Sequence, residues 1–520
     1  MNMVNGIIRT LIAVILLFAI NTKAAETLTF KQSIDDFMST LIKEFDIKSA
    51  TSIAVVKGDS VIYQQSFGYA DIENQQPATN DTAFYIASIT KPLFALTVLQ
   101  TLGNSKYDTS LSLQKMFPEI RFAKEIPANK ITIQDLLAHT SGLDDNFLAT
   151  AVSTSGIQSK KSKQLMLAQI FASEESQHAE FDYTNLGYNI ISIWYEKTFN
   201  ITWQKALEKT LFKPLNMSHS TAIVSDAERN QWLIAKPYSF FNTTPNKALY
   251  LTKQDNTMHA AGGVISSSND MAQFIKLQLN AKTTDDSHLP QPKLINLSQQ
   301  AVATLTSSRG DFERNAYAYG WYTGSYKNQL TYHHFGSFEG FRPHLSFMPE
   351  EKLGLVILNN EDSLNDKLTD LIADFIYSKL LAEKGVEQRI NSRIAKLKTM
   401  AYKYRDKIAS KDKNYTLKPW QLSAEKQSYV GKYHHPLAGD IRITFNDDTF
   451  ELTWGNLKTT ATPFREIDQM RVKFRPSNGQ KVQFEIIDGK PTGLIYSGIK
   501  FSKENKLVEL NHVNTLGSSH

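Results

Sequence analysis

The chain has 520 residues, 41% hydrophobic and 21% charged, and at roughly 100–200 residues per domain it divides into two or three units that each bury a core. Lys+Arg 57 against Asp+Glu 52 leaves a formal charge of +5, too small and too evenly spread for a nucleic-acid footprint or an acidic tail. Cysteine is absent, which excludes disulfides, thiolate zinc sites, thiol nucleophiles and a lipid-modified cysteine, so any nucleophile carries oxygen or nitrogen. The chain opens on Arg9, the apolar run Leu11 to Ile20 and the small-residue site Thr22-Lys23-Ala24, which read as a signal peptide over residues 1–24. The run is about half of the ~20 residues a bilayer span needs. The mature protein is expected to start near Ala25 and to be exported to a periplasm or the cell exterior, touching membrane only if the segment stays uncleaved.

Phe30 to Phe45 repeats Ile34, Phe37, Met38, Leu41, Ile42 and Phe45 at helical spacing. Strand-like Thr51 to Val56 and Val61 to Gly68 follow around Lys57-Gly58-Asp59. A long stretch of helical and loop character leads to strand-like Tyr332 to Phe347 and Leu353 to Leu358, separated by the turn Pro349 to Lys352, and a helix from about Leu364 to Leu381. Strands from both ends with helices between them imply an α+β domain whose sheet is assembled from distant segments. From Glu383 to Trp420 apolar periodicity weakens and Lys or Arg recurs, the pattern of a solvated helical linker, with a basic membrane-surface or partner-binding helix as the alternative. Beyond it the period becomes two. Ile441 to Phe445 and Phe450 to Trp454 flank Asn446-Asp447-Asp448, Arg471 to Phe474 and Val482 to Ile486 flank Asn478-Gly479, and Asp488-Gly489 leads to Leu494 to Tyr496. Such a meander closes best as a small antiparallel barrel. The expected domains are 25–382, the linker 383–420 and the barrel 421–515.

No G-x-S-x-G, Walker A, dinucleotide-binding glycine pattern or H-E-x-x-H occurs. The pairs His333-His334 and His434-His435 point to opposite strand faces and make poor joint metal ligands, so no metal or organic cofactor is expected. Ser88-Ile89-Thr90-Lys91 follows apolar Phe84 to Ala87 and opens a buried helix running to about Leu102, with Pro92 in its first turn. Ser88 and Lys91, three apart, share a helix face, so an amine of lowered pKa takes the hydroxyl proton and the Ser88 N–H faces an oxyanion. The bare string is weak, for Ser112/Lys115, Ser410/Lys413, Ser423/Lys426 and Ser497/Lys500 also match it. Downstream, Tyr183-Thr184-Asn185 offers a phenol and an amide, a pattern repeated at Tyr326-Lys327-Asn328. His334-Phe335-Gly336-Ser337 comes third. Gly336 lets a substrate lie against a strand, and the Ser337 N–H completes an oxyanion hole.

In this order the three elements resemble the serine β-lactamase and penicillin-binding-protein superfamily, in its branch of class C β-lactamases, D-alanyl-D-alanine carboxypeptidases, D-aminopeptidases and esterases. Leu136 to Leu143, Phe212 to Met217, and Ala261 to Ser267 with Asp270-Met271 carry the same resemblance. It covers about Phe30 to Leu381, and the meander, with Tyr429 to Tyr433 at its start, is similar to an appended lipocalin-like domain. The resemblance implies a β-lactamase/transpeptidase-like antiparallel sheet flanked by helices, with a helical subdomain. It makes Ser88 the acyl-forming nucleophile, Lys91 its proton acceptor, Tyr183 the second base and donor to the leaving group, Asn185 the orienter of Lys91 and the substrate amide, and His334 the occupant of the lactamase lysine position. Ser337 and Gly336 belong to substrate binding. The implied activity is acyl transfer from an amide or ester of a small molecule or peptide, with β-lactam hydrolysis or a non-catalytic ligand sensor as alternatives and a homo-oligomer left open. Two departures stand out: His334 carries only a partial charge near neutral pH, and Phe335 lacks the hydroxyl that helps hold a substrate carboxylate. Arg342 is expected on an exposed strand, His139 to Gly142 in a tight turn serving its own backbone, and Trp321 in packing.

Overall fold

A computed structural model describes residues 28–144, 153–157, 167, 170–172, 177–240, 242, 244, 246–280, 288–362, 364, 367–476 and 479–504. The segment read as a signal peptide, the Asn478 turn residue and the end of the expected barrel domain beyond 504 lie outside them. Helix α1 (28–45) precedes the hairpin β1 (Thr51–Lys57) and β2 (Ser60–Phe67). The helical part holds α2 (Thr90–Gly103), α3 (Ile133–Ala138), α4 (Leu186–Phe199) and α5 (Ser268–Leu279). Six strands then complete the sheet: β3 (Ala303–Arg309), β4 (Phe312–Tyr317), β5 (Tyr322–Tyr326), β6 (Gln329–Phe335), β7 (His344–Met348) and β8 (Leu353–Asn359). Helices α6 (Lys367–Leu380) and α7 (Val386–Thr416) follow.

The sheet runs β2-β1-β8-β7-β6-β5-β4-β3, antiparallel at each pairing. Thr51 opposite Asn359 and Lys57 opposite Leu353 join the two ends of the domain, as the separated strand signals require. Period-two alternation sorts the faces. Ile53, Val55, Leu355 and Ile357 meet α1 and α6 through Ile34, Leu41, Phe45, Leu371 and Phe375. Ala54, Val56, Val356 and Leu358 face the core shared with the helical part.

Three features differ from the sequence reading. Tyr332 to Phe347 is two strands, because the chain reverses through Gly336 to Pro343, with the Gly336 N–H donating to the Pro343 carbonyl at 2.8 Å. Strands β3, β4 and β5 are additional: β3 shows little alternation, its outer residues Thr304, Thr306, Ser307 and Ser308 being polar, and an irregular register near Ala316 masks the period of β4. The segment after Glu383 is no solvated linker. Helix α7 buries Val386, Ile390, Ile394, Leu397 and Ala401, one residue per turn, against α6 and its neighbours. Arg389 and Arg393 both pair with the fully buried Asp374, while Lys384, Lys403, Lys407 and Lys413 face solvent.

The C-terminal sheet has nine strands: β9 (Gly431–His435), β10 (Gly439–Asn446), β11 (Thr449–Trp454), β12 (Leu457–Thr460), β13 (Thr462–Pro463), β14 (Gln469–Val472), β15 (Gln480–Ile487), β16 (Lys490–Tyr496) and β17 (Ile499–Lys503). Their order, β12-β11-β10-β9-β17-β16-β15-β14-β13, wraps a nearly closed antiparallel barrel. Left-handed pairs at Asp447-Asp448, Asp488-Gly489 and Ser497-Gly498 turn its hairpins. Tyr433, Ile441, Phe450, Trp454, Phe484 and Phe501 fill its interior. Among the described residues no helix is long and apolar enough to cross a membrane.

Candidate active site

Ser88 lies in a single 3-10 turn, Ala87–Ile89, that runs into α2. Ala87 before it has φ 47°, a strained backbone for a residue with a β-carbon and one that recurs where a side chain must be presented outward. Residues Ala261 to Val264 run beside this turn: the Ile86 N–H donates to the Val264 carbonyl at 3.0 Å, and the Val264 N–H to Thr90 Oγ1 at 3.1 Å.

Lys91 is fully buried. Its Nζ lies 2.8 Å from Asn185 Oδ1, 2.8 Å from the Ala261 carbonyl and 3.2 Å from Ser88 Oγ. Burial holds the amine well below its usual range, with no carboxylate contributing. When the amine is neutral it has two hydrogens; the two short bonds to obligate acceptors then use both, which leaves the lone pair for the third neighbour, the Ser88 hydroxyl. Asn185 stands at the N-cap of α4 but makes no capping bond; a side chain suited to capping is turned to Lys91 instead. The competing S-x-x-K matches lack this environment. Lys115, Lys413 and Lys500 are exposed and Lys426 pairs with Asp448. The competing Y-x-N is a hairpin turn, with Lys327 and Asn328 at φ 48° and 66°.

Tyr183 hydrogen-bonds Ser88, and its ring lies 4.7 Å from Lys91 Nζ. Burial pushes its phenol up, with Tyr322 adding to the shift, and this outweighs the Ser88 bond and the nearby Arg314 and Arg309. The group is therefore a hydroxyl at neutral pH, not the phenolate expected of a second base. Its segment is fixed by the turn at His139: Gly187 sits where a β-carbon would meet the Leu136 carbonyl at 2.2 Å, so only glycine lets α4 approach α3 this closely. The Asp182 N–H donates to the His139 carbonyl at 2.8 Å, and the His139 ring packs 4.4 Å from the Tyr183 ring.

His139 was expected to serve local backbone, and it does more. Its Nδ1 accepts from the Thr184 N–H at 3.3 Å and its Nε2 is 3.2 Å from the Tyr317 hydroxyl, which is itself 3.2 Å from His334 Nε2; His334 Nδ1 is 2.9 Å from the Phe335 carbonyl. The ends of this chain set its direction. A backbone N–H only donates and a carbonyl only accepts, so His139 carries its proton on Nε2, His334 carries its own on Nδ1, and Tyr317 receives from the first and donates to the second. Burial holds both imidazoles well below the usual histidine range. Burial thus works against the partial charge expected of His334.

Gly336 ends β6 with its α-carbon against the nucleophile turn: a β-carbon there would lie 2.5 Å from the Ile86 carbonyl and 2.5 Å from the Pro343 ring. The glycine is required by the protein's own packing. It brings exposed Ser337 beside the mouth of the site. Phe335 is buried among Phe312, His333 and His344, with the Arg309 guanidinium 4.1 Å from its ring. Arg342 is neither exposed nor on a strand. It is half-buried and donates to the Phe338 and Phe341 carbonyls. Trp321 packs between Phe274 and Phe347. Among the described residues one group has metal-ligand spacing, His434, Asp440 and Glu504, whose ligand atoms lie within 4.8 Å of one another. The Lys432 ammonium, 3.2 Å from Asp440 and 2.8 Å from Glu504, already pairs with both carboxylates.

Comparison with known proteins agrees with the fold. The Beta-lactamase family model matches residues 38–376, and the chain belongs to that family. It is similar to Protein flp of Staphylococcus aureus (strain COL), 24% identical over 368 residues, 68% of this chain and 67% of that protein. It is also similar to a beta-lactamase of Providencia stuartii, 23% identical over 357 residues, 64% of this chain and 87% of that one. Among solved structures the octameric penicillin-binding protein homologue from Pyrococcus abyssi has a TM-score of 0.58 at 20% identity, covering 91% of this chain and 99% of that chain. A crystal structure of SurE with D-Leu has a TM-score of 0.52 at 16% identity, covering 92% and 100%. The chain is accordingly a member of the β-lactamase-like serine hydrolase superfamily with a C-terminal barrel.

Proposed function

We propose that this protein is an exported serine hydrolase that forms an acyl-enzyme on Ser88 and cleaves an amide or ester, of a D-amino-acid peptide or a small acyl ester. The observation that carries the reading is the fully buried Lys91 amine, its pKa lowered by burial, held 2.8 Å from Asn185 Oδ1, 2.8 Å from the Ala261 carbonyl and 3.2 Å from Ser88 Oγ. In the proposed cycle the Ser88 proton passes to Lys91 as Oγ bonds to the substrate carbonyl carbon, and the oxyanion is met by the Ser88 and Ser337 N–H groups. The protonated Tyr183, hydrogen-bonded to Ser88, delivers a proton to the leaving amine or alcohol and is resupplied from Lys91. Water then attacks the acyl carbon with the same pair as base, releasing the acid and restoring Ser88.

His334, whose charge burial disfavours, offers no fixed cation at the position held by lysine in the lactamases, and Phe335 offers no hydroxyl, so β-lactam hydrolysis is ranked as a side activity. The D-Leu held by the SurE structure supports D-amino-acid compounds as the first class to assay, and the octameric homologue makes a homo-oligomer worth measuring. Comparing kcat/KM for D-Ala dipeptides, D-amino-acid amides, short p-nitrophenyl esters and nitrocefin tests the reading. Turnover of an amide or ester that is lost in Ser88→Ala is expected. Nitrocefin turnover matching a dedicated lactamase would overturn the ranking, and full activity in Ser88→Ala would overturn the mechanism.

A further inference from the structure

The loop between β6 and β7 carries Ser337, and its outer edge meets the barrel. Within the loop, Phe338 and Phe341 exchange backbone hydrogen bonds at 3.1 and 3.0 Å, and the Gly340 N–H donates to Asp362 Oδ2 at 2.9 Å. Between them lies Glu339, close enough to act electrostatically on Lys253 and Arg342, and its side chain is only 8% exposed. Its Oε1 pairs with the guanidinium of Arg475, which follows β14 in the barrel, and its Oε2 has no hydrogen-bond partner among the described residues. Arg475 is therefore the ion-pair partner of a carboxylate that costs several kcal/mol to bury alone.

The barrel also grips a second segment near the cleft. The turn between β11 and β12 is set against residues 153–157: the Asn456 N–H donates to the Ser155 carbonyl at 2.8 Å, and Gly455 lies so close that a β-carbon would fall 2.0 Å from that oxygen. Lys253 ties this segment to the loop, with Nζ 2.5 Å from the Ser153 carbonyl, 4.2 Å from the Phe338 ring and 4.8 Å from the Tyr85 ring, three residues before Ser88. A continuous set of contacts thus runs from the barrel through Glu339, Phe338 and Lys253 to the strand that leads into the nucleophile turn.

We infer that the barrel is part of the acylation machinery, with Arg475 a positioning residue that, through Glu339, holds the loop bearing the Ser337 N–H in register with Ser88. This rests on the serine-hydrolase reading. With Arg475 gone, Glu339 has reason to leave the interface for water, and the loop moves with it. Displacing a donor by about 1 Å is enough to cost on the order of a hundredfold in rate.

The test uses the full chain and the rate constant for labelling of Ser88 by a fluorophosphonate, with kcat and KM for a p-nitrophenyl ester. Arg475→Ala and Glu339→Gln are expected to slow labelling and lower kcat at least tenfold while KM changes less than threefold, and Arg475→Lys is expected to recover most of the rate. Labelling of Arg475→Ala at the wild-type rate would overturn the inference. Equal losses in Arg475→Ala and Arg475→Lys with a broadened thermal melt would also overturn it, assigning the pair to folding alone. Wild-type protein is scored first: if it takes no label at Ser88, the serine-hydrolase reading fails, whereas a labelled wild type with indifferent variants removes only the role of Arg475.

Discussion

Three buried groups decide the chemistry at the residue scale, and each is set by its partners rather than by its residue type. Lys91 is usable as a base because burial removes its charge. In the unfolded chain the amine titrates near 10.5 and in the folded protein well below it. The unfolded state therefore binds more protons between those two values, and folding stability contributed by this group rises with pH across that window. Activity has the same sign: as pH falls, protonation of Lys91 removes the acceptor. With a neutral p-nitrophenyl ester, kcat/KM is expected to rise with pH along one acid limb that lies below the ordinary lysine range and to show no fall on its alkaline side from this group. A decline centred near 6.5, the ordinary histidine value, would mean that His334 works as a cation. Tyr317→Phe tests the chain between the imidazoles. It leaves His139 Nε2 and His334 Nε2 buried without a partner, each costing about 1–3 kcal/mol, and should lower both the thermal midpoint and kcat; unchanged values would remove Tyr317 from the account. Ser88, Lys91, Tyr183 and Asn185 were legible because their spacing and order are local. The role of Tyr317 was not, since it depends on a partner 178 residues away.

Among the elements, α7 shows how a charged stretch hides a packing face. Its buried positions fall once per turn, too sparse to stand out against the surrounding lysines, and the deciding partner lies on another helix. Asp374 is wholly buried, receives the Tyr326 hydroxyl at 2.6 Å and pairs with Arg389 and Arg393. The paired cations and the tyrosine hydroxyl outweigh burial and bring its carboxyl down to about 2. Its contribution to stability is present above the unfolded value of 3.8 and is lost as pH falls through about 2. Asp374→Ala removes the carboxylate shared by Arg389 and Arg393, which keep Glu383 and Asp311 as partners, and leaves the Tyr326 hydroxyl short of its acceptor. A cost of about 1–3 kcal/mol is expected, read by urea unfolding at neutral pH, and a loss under about 0.5 kcal/mol, on the order of measurement error, would show α7 docking on its apolar stripe alone. The hairpins β1/β2 and β10/β11 were readable from turn residues and alternation. Strands β3 to β5 were not, because an edge strand with polar faces and a neighbour of irregular register carry no clean period.

For the whole molecule, the sheet joins residues some three hundred apart in sequence, and the barrel returns to the catalytic loop after α7. Neither consequence can be read from the sequence near either partner, although the two-unit α+β-plus-barrel architecture can. Ending the chain after residue 382 would uncover the surface filled by Val386, Ile390, Ile394 and Leu397 and remove Arg475. Aggregation on size exclusion or at least a tenfold loss of activity is expected, and a monomeric truncation with full activity would show the barrel to be an independent module. The account as a whole turns on one covalent bond. Peptide mapping by mass spectrometry after fluorophosphonate treatment should place a single adduct on Ser88, absent in Ser88→Ala; an adduct on another serine, with Ser88→Ala still fully active, would contradict it.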